Sequence, residues 1–475
     1  PTISAIWPAA NGGAILTIET AHRGFGIMAA GNDFSAGLSR LGFGAWSGGD
    51  MPAARSDLLA PGLKAATAPI SSKRTLPPSD QALRDMLSAR KERRRDNRQD
   101  DDAPADAKPA LRTSPTVELW ATLSASQRPD FGFGERLVLH WANYFTVAAV
   151  KGKVGWTVGP FMREAIRPNV AGRFEQLLTA ATLHPAMLFY LDNAGSIGPQ
   201  SIVGRKKSRG LNENLARELL ELHTLGADGG YDQADVISMA GILTGWGVNL
   251  NLDSPDCGTV VFDARKHQPG SKMLLGQRLP DEGPDQLRRA LALLAAHPST
   301  ARNVSRRMLL AFAGDSVRPD DLALMTRSFE QSQGDLRALT ATMLSLDTMW
   351  TPPLGKLRPP IELLHIAAGI VGAVPQPMEV GRALTAMGQP SLQAPSPKGW
   401  PEADNSWLLS DGIKSRLDWA ADLGRRFGDR VDTGAIAKGA AGWQLTDETA
   451  TTLRRAATPQ QALALLLMCP EVQRR

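Results

Sequence analysis

From Thr116 onward, apolar residues return every three or four positions, with charged or small residues between them. That spacing draws one apolar stripe along a helix. It predicts helices over 135–145, 174–184, 185–191, 212–225, 232–246, 284–296, 299–312, 320–333, 336–346 and 360–372. Period-two alternation is scarce. Only GTVVFD (258–263) and KMLLG (272–276) read as strands, and together they suggest one small hairpin. The expected class is mainly α, a large irregular helical domain with at most a small β-hairpin.

The same pattern divides the chain. Residues 1–89 interrupt short amphipathic pieces with GFG and SGGD breaks, and read as an N-terminal helical and irregular region. RKERRRDNRQDDDAPADAKP follows, too charged to bury an apolar face, so 90–115 is expected to be a solvated linker, or over 90–112 a helix extension. Residues 116–350 form a central helical domain, and 351–475 a C-terminal helical region packed on it.

Composition narrows the function classes. A net charge of +5 on 475 residues, with no basic stripe interleaved with aromatics, argues against nucleic acid. Cys257 and Cys469 lie far apart and no CxxC occurs, which excludes a cysteine zinc site or redox pair and leaves a single disulfide open. No apolar run approaches the roughly 20 residues of a membrane span. No basic-then-apolar leader is visible at Pro1, which leaves the compartment open. HExxH, GxSxG and the Walker A pattern are absent.

The densest chemistry lies in GLNENLARELLELHTLGADGGYDQADV (210–236). On a helix at about 100° per residue, Glu213, Asn214, Arg217, Glu218 and Glu221 share one face, and His223 falls among the leucines opposite. Asn212 suits the N-cap and Gly226 the C′ position. Glu213–Arg217 and Arg217–Glu221 are both i,i+4 pairs, and the face holds no Lys, Gln or Ser. A buried Arg217 between two carboxylates is therefore expected, with the cations of GRKKSRG (204–210) close by. The DGGYDQAD segment does not make a calcium loop, because its twelfth position is Met239 or Leu243. Asp232 and Asp235 read instead as a cap. His184 precedes Pro185 at a helix start, with Asp192 and Asn193 just beyond that helix. Trp246, Trp400 and Trp407 either line a sugar-stacking cleft or pack in the core.

This motif resembles the signature of a bacterial family called domain of unknown function 1800. The likeness extends to HWANYFTV (140–147), REAIRPNVAGRF (163–174), LHPAMLFYLDNAGSIGPQS (183–201), KHQPGSKMLLG (266–276), HPSTARNVSRRM (297–308) and MGQPSLQAPSPKGWP (387–401). The resemblance implies a helical fold, export to the periplasm or beyond, and a sulfatase-like partner of the domain of unknown function 1501 family. It brings no established reaction. It also implies imidazoles where this chain has Tyr144, Asn169 and Ala311, and His-Glu-Pro-Gly where it has His267-Gln268-Pro269-Gly270.

The leading functional reading is a hydrolase- or lyase-type enzyme acting on a cell-envelope polymer through a carboxylate, Asn and Arg cleft. Glu213 or Glu218 would be the acid or base and Arg217 the orienter, with His184 and Asp192 beside them. Asn143, Asn193, Asn212, Asn214 and His267 would hold the substrate. No cofactor is expected, since no two histidines are spaced i,i+4. A divalent metal held by His184, His267 and Glu218 or Asp192 is the alternative there. The competing function is a non-catalytic paralogue serving as a binding or assembly partner.

Overall fold

The computed structural model describes residues 16–17, 32–43, 54–70, 72, 76–96, 115–125, 132–150, 152–207, 210–351, 354–408, 410–439 and 445–475. The fold is mainly α. Helices occupy the stripes read from the sequence, among them Phe133–Tyr144, Phe174–Thr182, Pro185–Tyr190, Gln233–Leu243, Pro298–Phe312 and Pro360–Val371. Their starts are chemically marked. Proline stands in the first turn of the helices beginning at 185, 284, 298, 319 and 360, where its missing N–H costs nothing. The Asp232 and Asp235 carboxylates accept each other's backbone N–H at 3.1 and 3.0 Å, the expected cap. Residues 90–96 continue the helix Ser79–Asp96, and residues 97–114 of the expected linker lie outside the described residues.

Two apolar clusters hold these helices. One gathers Trp141, Tyr144, Phe145, Phe174, Leu219, Met308 and Phe329 from the central helices. The other gathers Leu119, Leu363, Leu384, Trp419, Leu463 and Leu466. The second contains the helices Ser410–Phe427 and Pro459–Met468, which the sequence pattern did not single out. Cys257 and Cys469 are both buried and free. Among the described residues, no helix is long and apolar enough to cross a membrane.

The expected hairpin between 258–263 and 272–276 does not form. Val260–Phe262 pairs antiparallel with Trp246–Val248, and Lys272–Leu274 pairs with Gln277–Leu279. The reason lies in the turns. Leu275 and Gly276 both have positive φ, 49° and 74°, which suits a two-residue hairpin turn immediately after Leu274. A further two-residue pairing joins Leu16–Thr17 to Ala373–Val374.

The segment predicted as one helix over 212–225 changes pitch. It is α-helical over Asn214–Glu218 and π-helical over Leu219–Thr224. The Thr224 hydroxyl donates to the Leu219 carbonyl at 2.7 Å and Leu225 N to the Leu220 carbonyl at 2.9 Å, five residues back in each case. The carbonyls freed at the end of this turn find partners from other helices. Arg307 Nη1 donates to Leu222 O at 2.9 Å, Tyr144 Oη to His223 O at 3.2 Å and Asn303 Nδ2 to Thr224 O at 2.8 Å. Gly226, at φ 87°, ends the element as expected.

His140, His223 and His365 are buried, and burial pushes each ring down to about 3; Arg307 adds repulsion at the first two and Arg167 at the third. The native state therefore leaves these rings neutral, whereas the unfolded chain protonates them below about pH 6.5. Unfolding takes up as many as three protons in that window, so stability falls as pH drops from about 6.5 toward 3. Urea unfolding at pH 7 and pH 5 is expected to differ by several kcal/mol. A difference under about 1 kcal/mol would mean that the rings protonate in place.

Candidate functional site

The polar helix entry is built by short-range bonds. Asn212 Oδ1 accepts the Asn214 amide at 2.9 Å, and its Nδ2 donates to the Asp192 carbonyl at 3.2 Å. Arg217 Nη2 reaches Glu213 Oε2 at 3.0 Å and Gln233 Oε1 at 3.1 Å. The expected buried clamp is not there: the Arg217 side chain is 45% exposed and Glu213 36%. The helix widens after Glu218, so Glu221 no longer follows Arg217 by one α-turn, and Gln233 takes its place. Glu218 is half-buried, and burial together with the Glu221 charge raises its carboxyl. Of the neighbouring cations, Arg205 and Lys206 are exposed, while Arg209 lies outside the described residues and the Lys207 side chain is likewise not described.

The other sequence candidates scatter. Asp192 is exposed in the left-handed region at φ 59°. Asn193 is fully buried and donates to the Leu243 carbonyl at 3.1 Å, tying its turn to the end of the helix Gln233–Leu243. His184 Nδ1 accepts the Ala186 amide, which leaves the ring proton on Nε2, 3.0 Å from Glu164 Oε2. Glu164 also accepts the Ser79 amide and hydroxyl at 2.8 and 2.7 Å. His267 Nδ1 donates to the Thr244 carbonyl at 2.9 Å. Asp192, Asn212, Glu213 and Asn214 line an open groove of about 850 Å³ with Lys153 and Phe189. Among the described residues, no three His, Cys, Asp or Glu gather as a metal ion would require.

Asn143 alone among the charged, amide and histidine candidates lines a second, more enclosed cavity, of about 130 Å³. The helix Phe133–Tyr144 contributes Arg136, His140 and Asn143 on one face, at positions 0, 4 and 7 of the helical repeat. Glu362 comes from Pro360–Val371, and Lys356, Trp400, Glu402, Trp407 and Arg475 complete the polar and aromatic lining. Glu362 Oε1 lies 3.2 Å from Arg136 Nε and 2.9 Å from Arg475 Nη1, and Oε2 lies 3.5 Å from Arg358 Nη1. Asn143 Nδ2 donates to Glu402 Oε1 at 3.2 Å and to Trp400 O at 3.1 Å, while its Oδ1 accepts Trp400 N at 2.7 Å. This close approach needs Gly399. At φ 92°, a Cβ there would stand 2.6 Å from both Asn143 oxygens.

Charge is concentrated in this cavity. Glu402 is one-third exposed, and its loss of solvent raises the carboxyl against the pull of Lys356 and Arg307. Lys356 Nζ lies 3.2 Å from Asp315 and 3.8 Å from Glu402. Among the described residues, the two ring nitrogens of His140 have no hydrogen-bond partner, nor does Arg136 Nη1. Arg136 Cζ stands 4.5 Å over the Phe312 ring. Trp400 and Trp407, two of the three tryptophans proposed for a cleft, stand 6.1 Å apart here, and Trp246 packs on Phe262 instead. The sequence reading missed Arg136, His140, Lys356, Glu362, Glu402 and Arg475. One signal was available: Glu362 is the lone charge in PIELLHIAAGIV, a helix otherwise apolar all round.

The family model for "Protein of unknown function (DUF1800)" matches residues 37–474. The chain belongs to the DUF1800 family. No curated protein and no solved structure matched it. At the positions where the DUF1800 resemblance implies imidazole, Tyr144 donates to the His223 carbonyl, Asn169 donates to Ala165 O at 2.8 Å, and Ala311 lines the cavity. Gln268 bonds Gln200 side chain to side chain at 3.0 Å.

Because Arg217 is solvated, Arg217→Ala is expected to change stability by no more than about 0.5 kcal/mol. Gly399→Ala, forced into positive φ against Asn143, is expected to lower it by at least about 2 kcal/mol. Thermal melts of both variants check the contrast, and comparable losses would place the weight back on the Arg217 face.

Proposed function

We propose that this DUF1800 protein is a hydrolase- or lyase-type acid–base enzyme whose reacting groups lie in the enclosed cavity. Glu402 is the proton donor, Asn143 fixes its orientation, and Trp400 and Trp407 offer ring faces to the substrate. The observation that carries this reading is Glu402 itself, a carboxyl raised by loss of solvent and held by Asn143 at the edge of a cavity. Neutral His140 supplies a hydrogen bond rather than a base, because its ring is pushed down to about 3. A space of about 130 Å³ accepts one small unit, so an envelope polymer would be attacked at a chain end and not along its length. Glu213, Glu218 and Arg217 have no reacting role in this reading, and His184, Asp192, Asn193, Asn212 and His267 serve the fold.

A second reading has its own observation. Asn214 and Arg217 are exposed and Glu213 is half-buried, and Glu213 and Asn214 line the open groove. A non-catalytic binding or assembly role would use this face, with a sulfatase-like protein of the kind the resemblance implies as the partner.

A panel of 4-nitrophenyl glycosides and esters separates the two. The acid form of Glu402 is the active one, so turnover should fall as pH rises through its raised pKa. Glu402→Gln is expected to lower kcat by about 100-fold or more without moving the melting temperature by more than a few degrees. Turnover unchanged in Glu402→Gln would remove the cavity from the chemistry, and no turnover by the wild type would favour the second reading.

A further inference from the structure

We infer that the enclosed cavity is a binding site for a small organic carboxylate with an apolar body, the anion seated among Arg136, Lys356 and Arg475. This shares the cavity of the proposed function but does not depend on proton transfer by Glu402.

Three guanidinium groups, those of Arg136, Arg358 and Arg475, converge on the single carboxylate of Glu362. All four side chains are at least nine-tenths buried. At this point one negative charge meets three positive ones, in a region where water screens them poorly. Glu402 also acts electrostatically on Arg136, and with Lys356 and Asp315 counted the cluster holds four cations and three anions, an excess of one positive charge. Arg358 spreads its donors over the Ser39 and Gly42 carbonyls and the Ser39 hydroxyl. Arg136 is less well served. Its Nε meets Glu362 and its Nη2 the Ala311 carbonyl, but among the described residues Nη1 is buried with no partner, and so is Arg475 Nε. A buried charged donor left open costs more than almost any other defect in a folded protein. Arg136 and Arg475 both line the cavity, so an anion entering it meets their charge.

The rest of the lining specifies what that anion carries. His140, neutral at pH 7, keeps one N–H and one lone pair unpartnered in the same cavity. Lys356 and Arg136 both act electrostatically on His140 and on Glu402, so these groups stand within reach of one another. The remaining wall is apolar, from Leu139, Val147, Phe312, Ile361 and Leu392. A guanidinium fork matches the two oxygens of a carboxylate. A space of about 130 Å³ fits a body on the scale of one six-membered ring. The chemistry points to a ring- or branched-chain monocarboxylate and away from a bare inorganic anion, which would leave the apolar wall dry and unfilled.

Calorimetric titration and thermal shift of the full chain with benzoate, benzamide and inorganic phosphate test this. Benzoate is expected to bind with Kd on the order of 100 µM and to raise the melting temperature with concentration. Benzamide, of equal shape and no charge, is expected to bind at least about 10-fold more weakly, and phosphate likewise. Ala311→Leu fills the cavity from an apolar wall position and is expected to abolish benzoate binding while the chain stays folded. Benzoate binding by a wild type that turns over no substrate of the panel would support this inference without the enzymatic reading. Equal binding of benzoate and benzamide, phosphate bound as tightly as benzoate, or no shift by the wild type up to about 10 mM benzoate would each overturn it. That comparison on the wild type needs no variant to fold.

Discussion

One carboxylate, Glu362, carries the constraint on which much of the fold depends. It sits in a helix of the second apolar cluster, between Ile361 and Leu363, and takes Arg136 from a helix of the first, next to Leu137. Arg475 reaches the same oxygen, and its backbone pairs with Lys356 in both directions, Lys356 N to Arg475 O at 3.0 Å and Arg475 N to Lys356 O at 2.8 Å. Arg358 joins from one helical turn away and anchors residues Ser39 and Gly42 far upstream. Burying four charges is costly, and the cost is recovered only while each keeps its partner. The two clusters are therefore tied at a point where neither can shift without leaving charge unpaired.

The signature helix and the cavity meet through Arg307. Its guanidinium donates to the Leu222 carbonyl at the end of the π-helical turn, lies 4.0 Å over the Tyr144 ring, and acts electrostatically on both His140 and Glu402. The polar motif is thus tied to the wall of the cavity. Its widened turn presents three carbonyls in succession, and three side chains from other helices lock onto them. Tyr144 is one of the three. Here a phenol, which burial drives up to about 12 and so keeps protonated, stands where the family resemblance implies an imidazole.

Local features were legible in the sequence. Apolar spacing located the central helices, and the Asp232–Asp235 cap, the His184 start and the Gly226 stop follow from residue type and position alone. The pitch change at Leu219 was not legible, because it depends on Thr224 bonding five residues back and on partners from remote helices. Nor was the cavity. Arg136 and Glu362 stand 226 residues apart, and nothing local selects that pair from 53 cations and 48 anions. Arg217 misled for the opposite reason: its neighbours at i±4 satisfied a helical wheel that ends at Glu218.

The most direct measurement is the urea unfolding free energy of Glu362→Gln against wild type at pH 7. With the carboxylate gone, three buried guanidinium groups lose their shared counter-charge. A loss on the order of 3–5 kcal/mol is expected. A loss under about 1 kcal/mol would contradict it, showing that the arginines reach solvent or other partners and that the two clusters are held together by apolar packing alone.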